Sequence, residues 1–326
     1  MYAQGLRLAR EEPEGAKVAT LNTRKIINAL TEVRASTQGR ARLCLVGSGK
    51  GVGELARALS VGAARADGGI SDALDVLAPS DFPRSARELE RWPLVLFVED
   101  EGAPPTQGLS EMVQSARDAG SGVLAVLVSE SRTRAARWQR SSAFFTPEVA
   151  VWHVGEAVGR SELGGRIAKL AGDEALALAV TLPALRPAVV ARIIATTARQ
   201  NGVVGALVFI PGADMPVMTL NQVKMVLRIA AVYGEELGLE RALEILSVVG
   251  AGFGLRTVAR EALDLAPGPG WVLKGAFGYT ATIALGRAAV KYFEEGAPLT
   301  PNRLGRLTET FERFRQRLNE QRQPSG

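Results

Sequence analysis

The stretch that decides the fold runs from Leu43 to Leu59 and reads L-C-L-V-G-S-G-K-G-V-G-E-L-A-R-A-L. Its first four residues form an apolar run that predicts a buried strand, and a helix is expected to start near Glu54. A strand, a glycine-rich turn and a helix N-terminus together make a cradle for phosphate, because backbone N–H groups point into the turn and the helix dipole favours an anion. The candidate phosphate-binding or nucleotide-binding residues are Gly47, Ser48, Gly49, Lys50, Gly51 and Gly53.

This cradle departs from the known glycine-rich motifs. The P-loop pattern G-x-x-x-x-G-K-[ST] needs a hydroxyl after its lysine to hold Mg²⁺, but Gly51 follows Lys50, and Cys44 stands where the first glycine should be. The third glycine of the dinucleotide fingerprint would fall at Val52. A tight strand–helix turn without a ligand is an equal alternative. An NAD(P)-binding protein, with Asp75 on the ribose, is a further one.

The rest of the chain divides into an alternating part and a helical part. Apolar runs predict further strands at 75–77, 94–98, 123–128 and 149–154, with helices between them, which is typical of an α/β fold with a doubly wound, mostly parallel sheet. After Gly172 the strand signal stops. Helices are predicted at 173–200, 220–237, 239–250, 253–263, 271–294 and 304–323. The predicted organisation is an N-terminal helical extension (1–40, with a helix at 20–34), an α/β domain (41–172), a helical domain (173–297) and a C-terminal amphipathic helix (298–326).

Acidic and polar turns follow two of the predicted strands. The turn Glu99-Asp100-Glu101-Gly102 comes where a GTPase carries D-x-x-G, so Glu99 and Gly102 are the candidate switch position, and a solvated acidic turn is the favoured alternative. The turn Ser129-Glu130-Ser131-Arg132 comes where guanine recognition would need N-K-x-D, and Arg132 replaces its aspartate.

With these motifs in place, the order of strands and loops resembles an Era-type (TRAFAC-class) GTPase domain with eroded motifs. Residues 210–216 (I-P-G-A-D-M-P), 221–225 (N-Q-V-K-M), 231–234 (A-V-Y-G) and 282–293 (T-I-A-L-G-R-A-A-V-K-Y-F) resemble the YcjF-like domain, a bacterial domain of unknown function often fused behind such GTPase domains. The resemblance covers about 176–296. It implies association with GTPase systems and, in some members, with the inner membrane, and it supplies no catalytic residues.

Composition narrows the function classes. The 326 residues are 47% apolar and 22% charged, which is normal for a globular protein, and the net charge of +5 is spread along the chain without a basic block, so no nucleic-acid partner is expected. The single cysteine, Cys44, suggests a reducing compartment, and with a single histidine, His153, the sequence offers no Cys/His cluster for a structural zinc site. No apolar run reaches the ~20 residues of a membrane span. We expect a cytoplasmic protein, with peripheral contact at the inner membrane as an open alternative.

The function predicted from these features is that of a degenerate, GTPase-like protein that regulates or scaffolds a partner, without catalytic residues or a metal. No cofactor is certain; GTP or another nucleotide is the candidate. The alternative is an unorthodox active NTPase in which Lys50 contacts phosphate and Ser48 or Glu99 serves the metal. A protein partner or a second copy would bind through the helical domain or through the C-terminal helix, whose apolar seam consists of Leu304, Leu307, Phe311, Phe314 and Leu318. Asp214 with Asn221, Gln222 and Lys224 is interpreted as a cap and turn, and a ligand site is its alternative.

Overall fold

The structure, a computed structural model, describes residues 23–37, 41–63, 71–103, 106–130, 149–207, 215–237 and 270–295. The first part contains five strands among these residues: β1 (Leu43–Val46), β2 (Leu74–Leu77), β3 (Leu94–Asp100), β4 (Gly122–Ser129) and β5 (Val149–His153). Its helices and that of the N-terminal segment are α1 (Thr23–Thr37), α2 (Lys50–Leu59), α3 (Ala86–Leu89), α4 (Leu109–Asp118) and α5 (Glu162–Leu170).

The strands form one parallel sheet in the order β2-β1-β3-β4-β5. The chain moves outward from β1 to β2 and then crosses to β3 on the other side of β1. The order therefore reverses between β1 and β3, and an open α/β sheet binds its ligands in the crevice at such a switch point. The α/β fold with a doubly wound parallel sheet is confirmed.

Apolar side chains cover both faces of the sheet, as the continuous apolar runs of β3 and β4 predict. On one face, Leu94, Leu96 and Val98 of β3 pack with α2 and α5 in a large core. On the other face, Val95 and Phe97 pack in a smaller core with α3 and α4. Successive residues of β3 thus point to opposite faces, which decides where its polar end residues can act.

The second part of the described chain is helical, as predicted. It contains α6 (Ala175–Thr181), α7 (Arg186–Leu207), α8 (Met215–Val232) and α9 (Gly270–Glu295), joined in part by 3₁₀ turns at Gly172–Glu174 and Pro183–Leu185. The predicted single helix over 173–200 is wrong, because Leu182 leaves the helical region (φ −120°, ψ 83°) before Pro183. The helices predicted at 239–250, 253–263 and 304–323 lie outside the described residues.

The helix α1 packs against the helical part, although it precedes β1 in the chain. Its residues Ile26, Ala29, Leu30 and Val33 are buried on one face in the same core as α6 and α8. Glu32 adds ion pairs to Lys224 Nζ (2.5 Å) and Arg228 Nη2 (3.0 Å) on α8. The described part of the predicted N-terminal extension, α1, therefore packs as part of the helical assembly.

Candidate functional site

The candidate site is the glycine turn between β1 and α2, which lies in the crevice at the switch point of the sheet. β1 ends at Val46, and α2 starts at Lys50, not near Glu54 as predicted. The turn is therefore only three residues long, Gly47 to Gly49. The N–H groups of a helix cap and of the first three helical residues have no partner inside the helix, so in α2 the donors that can bind a group from outside the helix belong to residues 49–52. Gly53 lies deeper in α2, where its N–H belongs to the helical ladder.

The carboxylate of Asp100, the last residue of β3, reaches this helix N-terminus. Its Oδ1 accepts a hydrogen bond from the backbone N–H of Gly51 at 2.8 Å. The helix has no side-chain cap of its own and no acidic residue in its first turn. Asp100 therefore supplies from a neighbouring strand the negative charge and the acceptor that a helix N-terminus favours.

The glycines of the turn make room for this contact. A Cβ on Gly49 or on Gly51 would overlap the Asp100 carboxylate, and a Cβ on Gly47 would lie 2.6 Å from the Val98 carbonyl oxygen. A Cβ on Gly53 would meet nothing within 4 Å. Three of the four predicted cradle glycines are thus explained by the close approach of β3 and its carboxylate to the turn.

The other predicted residues of the cradle and switch lie apart from this contact. Ser48 and Lys50 are exposed. Glu99 is buried and lies two residues after Phe97, so its side chain is on the same face of the sheet as Phe97, opposite α2. Its Oε1 accepts a hydrogen bond from the Thr106 N–H at 2.9 Å. Gly102 has a φ of +82° in the turn after β3. The acidic residue that faces the cradle is therefore the neighbour of Glu99, Asp100.

The ends of β4 and β5 carry the remaining polar groups of this edge. Ser129 Oγ donates a hydrogen bond to Glu101 Oε2 at 2.5 Å, and Ser129 is the register partner of His153. His153 Nδ1 is buried without a hydrogen-bond partner. Ser129 donates its hydroxyl proton to Glu101, whereas a serine nucleophile directs that proton to the histidine that activates it. Arg132 lies outside the described residues.

Asp75 does not lie where a ribose ligand would. It occupies the second position of β2, and its carboxylate accepts hydrogen bonds from Arg42 Nε (2.8 Å), Arg42 Nη2 (2.6 Å) and Trp92 Nε1 (2.6 Å). Burial alone would raise the pKa of Asp75, but these hydrogen bonds and the charges of Arg42 and Arg91 outweigh it, so that its pKa lies below the ordinary value. Asp75 acts as an anchor between β2 and the segment before β3, which leaves the NAD(P) alternative without its ribose ligand.

Cys44 is a structural residue of β1. It is fully buried, and burial, together with the charge of Asp75, raises the pKa of its thiol to about 12. A thiol with so high a pKa carries almost no thiolate at neutral pH, which is the form that reacts or binds metals.

Two of the polar residues predicted as a cap and turn in the helical part, Asn221 and Gln222, belong to a network with Asn201 and Thr282, whereas Lys224 pairs with Glu32. Asn201 on α7 donates from Nδ2 to Thr282 Oγ1 (2.9 Å), and Gln222 Nε2 on α8 donates to the same oxygen (2.9 Å). Thr282 Oγ1 donates in turn to the Gly278 carbonyl at 2.7 Å, and Asn221 Nδ2 donates to Asn201 Oδ1 at 2.9 Å. The network joins α7, α8 and α9 in the middle of the helices, where it satisfies buried polar groups. Asp214 lies outside the described residues.

The described residues contain no group of three or more His, Cys, Asp or Glu side chains that could hold a metal ion. Within the same ranges, none of the helices combines the length and the apolar character that crossing a membrane requires.

Asp100 is the residue of the site that the sequence prediction missed. The signal was present, because side chains alternate along a strand and Val98, two residues earlier, falls on the face that α2 covers. The motif comparison selected Glu99 instead, since it gives the spacing E-x-x-G.

The comparisons with known proteins bear on the helical part alone. No curated protein matches the chain. One family model matches a region that begins inside α6 and includes α7, α8 and α9, and the glycine turn and the sheet lie outside that region. The region overlaps residues 176–296, which resemble the YcjF-like domain. The C-terminal part of the chain, residues 178–320, matches the family model described as Domain of unknown function (DUF697).

Proposed function

We propose that this protein is a degenerate, GTPase-like protein that regulates or scaffolds a protein partner through its helical part, and that it does not hydrolyse nucleotides. The observation that carries the proposal is the Asp100 carboxylate on the Gly51 N–H. A phosphate bound in the cradle would use the same donors at the same helix end. A phosphate and the carboxylate cannot occupy this position together, and their like charges repel each other.

The lack of a metal-binding hydroxyl supports the same conclusion. The residue after Lys50 is Gly51, so the chain offers no side chain at the position that holds Mg²⁺ in a P-loop. Glu99, the alternative metal ligand, faces the other side of the sheet and accepts a hydrogen bond from Thr106. The unorthodox NTPase alternative would therefore depend on Ser48, the exposed hydroxyl of the turn, for its metal ligand.

The shared core of the two parts suits a scaffolding role. Residues of β3, α2, α6, α7 and α8 belong to one continuous hydrophobic cluster. The helical part is thus held in place by the α/β part, and the sheet can support the helices without binding a ligand. On the helical part, Val203 (55% exposed) and Val217 (48% exposed) offer apolar contacts to a partner.

Isothermal titration of the wild-type protein with GTP and ATP, with and without Mg²⁺, tests the first half of this proposal. We expect no heat beyond dilution with either nucleotide. Micromolar binding that depends on Mg²⁺ would overturn it and would favour the NTPase alternative.

A photo-crosslinking amino acid placed in the native host tests the second half. We expect crosslinked adducts from positions 203 and 217 on the helical part and none from position 118 on α4, the matched exposed control. Adducts from the α4 position alone would refute the assignment of the partner surface to the helical part.

A further inference from the structure

A groove with four cationic side chains lies between the α/β part and the helical part, away from the glycine turn. It runs between the 3₁₀ turn Val158–Arg160, α5 and α7, and it encloses about 620 Å³. The cations are Arg160, Lys169, Arg192 and Arg199. Among the eleven lining residues that the structure describes, none is acidic.

The cations of this groove differ from those basic residues of the described chain that are held in ion pairs. Arg42, Arg57 and Arg166 form ion pairs with nearby carboxylates. Within the described ranges, Arg160, Lys169 and Arg192 form none, and Arg199 uses one N–H on the Ala195 carbonyl at 3.1 Å. Like charges gathered in one concavity raise the local potential and attract anions, since a cleft concentrates the field.

The floor of the groove defines the shape of what it can hold. The rest of its lining is glycine, alanine, proline and one serine, so a chain can lie close to the backbone. Lining residues on α7 extend from position 187 to position 199, and the helical rise gives this face a length of about 18 Å. Five or so residues of an extended peptide span that distance, at roughly 3.3 Å per residue.

We propose that this groove binds an acidic segment of a partner protein. Carboxylates suit it because arginine forms paired, charge-assisted hydrogen bonds with them. Single-stranded nucleic acid is disfavoured because its binding sites stack bases on aromatic side chains, and the described part of the lining contains no aromatic residue. A lipid bilayer is disfavoured because its surface does not follow a concave groove. The proposal concerns a different site from the cradle and stands whether or not a nucleotide binds there.

Fluorescence anisotropy with labelled octaglutamate, and with octaglutamine as the neutral reference, tests the proposal on the full chain. We compare the wild type with the double variant Arg192→Glu/Arg199→Glu. The matched control is Arg87→Glu/Arg117→Glu, which makes the same change in net charge on α3 and α4, at the opposite face of the sheet. Thermal melts followed by circular dichroism check that all three proteins are folded.

We expect octaglutamate to bind the wild type and the control alike, with an affinity that falls as salt rises. The groove variant should bind at least about tenfold more weakly, because two charge-assisted contacts become repulsive. Octalysine should bind the groove variant better than the wild type. Equal losses in the groove variant and the control would overturn the proposal, as would no binding of octaglutamate at low salt.

Two further probes separate other anionic partners from an acidic peptide. The probes are vesicles of phosphatidylglycerol with phosphatidylcholine and labelled oligothymidylate. If either binds more tightly than octaglutamate and loses that binding in the groove variant alone, the acidic-peptide assignment is refuted in its favour. None of these measurements uses a nucleoside triphosphate, so their outcome is independent of the titration that tests the cradle.

Discussion

Replacing Asp100 changes both the stability of the cradle and its affinity for anions. Its Oδ1 is the acceptor for the Gly51 N–H, and its charge lies at the positive end of α2. Loss of a helix cap costs ~0.5–2 kcal/mol, and loss of a favourable charge at a helix end costs a further ~0.3–1 kcal/mol. We therefore expect Asp100→Ala to lower the free energy of unfolding by about 1–3 kcal/mol. Asp100→Asn keeps an acceptor and should lose about 0.3–1 kcal/mol.

The same substitutions should make the helix N-terminus available to an added anion. If phosphate binds the Asn variant with a dissociation constant near 1 mM, then 10 mM phosphate raises its stability by about 1.4 kcal/mol. The wild type should not respond, because its carboxylate both accepts from the Gly51 N–H and repels phosphate; the neutral amide of the Asn variant lacks that repulsion, so phosphate can displace it. Urea unfolding at constant ionic strength, with chloride as the reference anion, measures both effects. Asp118→Asn, an exposed carboxylate on α4, is the matched control.

Two results would refute this reasoning. An equal phosphate response in the wild type and the Asn variant would mean that the carboxylate does not block the donors. No response in either protein would mean that these N–H groups do not form an anion site at all.

Three other predictions use equilibrium unfolding in urea as the measurement. Gly51→Ala should destabilise the protein by more than ~2 kcal/mol, because its Cβ would overlap the Asp100 carboxylate. Gly53→Ala should stabilise it by ~0.5–1 kcal/mol, because its Cβ meets open space in a helix. A Gly53→Ala variant less stable than the Gly51→Ala variant would contradict the described turn. Asp75→Asn should lower the free energy of unfolding by about 1–2 kcal/mol at pH 7. Since the pKa of Asp75 is lowered in the fold, the difference in stability between wild type and variant should be constant above pH ~4–5 and shrink as the pH falls through the folded-state pKa. A difference that grows towards acid pH would mean that the pKa of Asp75 is raised in the fold. Thr282→Val removes the acceptor of two buried amide groups and should lower the free energy of unfolding by ~1–3 kcal/mol. The control Thr280→Val, at an exposed position of α9, should change it by less than ~0.5 kcal/mol. Equal effects of the two substitutions would argue against the buried network.

Apolar patterning predicted the sheet because a parallel strand buried on both faces has a continuous apolar run. Leu94 to Val98 and Val123 to Val128 are such runs, and both are strands. The sequence predicts the start of α2 near Glu54, four residues after its actual start at Lys50, because its first turn contains Gly51 and Gly53, residues with low helix propensity. The helix forms there nevertheless, since Val52 and Leu55 pack on the sheet and Asp100 binds the helix end.

The remaining features depend on contacts between distant residues, which one sequence does not reveal. Asp100 and Gly51 are 49 residues apart in the chain. The apolar stripe of α1 predicts that one face of the helix is buried, but it does not predict that α8 covers this face. The network of Asn201, Gln222 and Thr282 likewise needs three helices to come together. Local patterns predicted the elements; the pairing of side chains between elements required the fold.

The packing of α1 on α8 has a consequence for synthesis on the ribosome. The last residue of α8 follows the last residue of α1 by nearly two hundred positions, and at the usual rate of chain elongation α1 waits roughly 10–40 s before α8 has been made. During that interval the intervening strands can already pair among themselves, since their partners are nearer in the chain. Although α1 is translated early, it is therefore among the last of the described elements to reach its native surroundings, and until then its apolar face is available to chaperones.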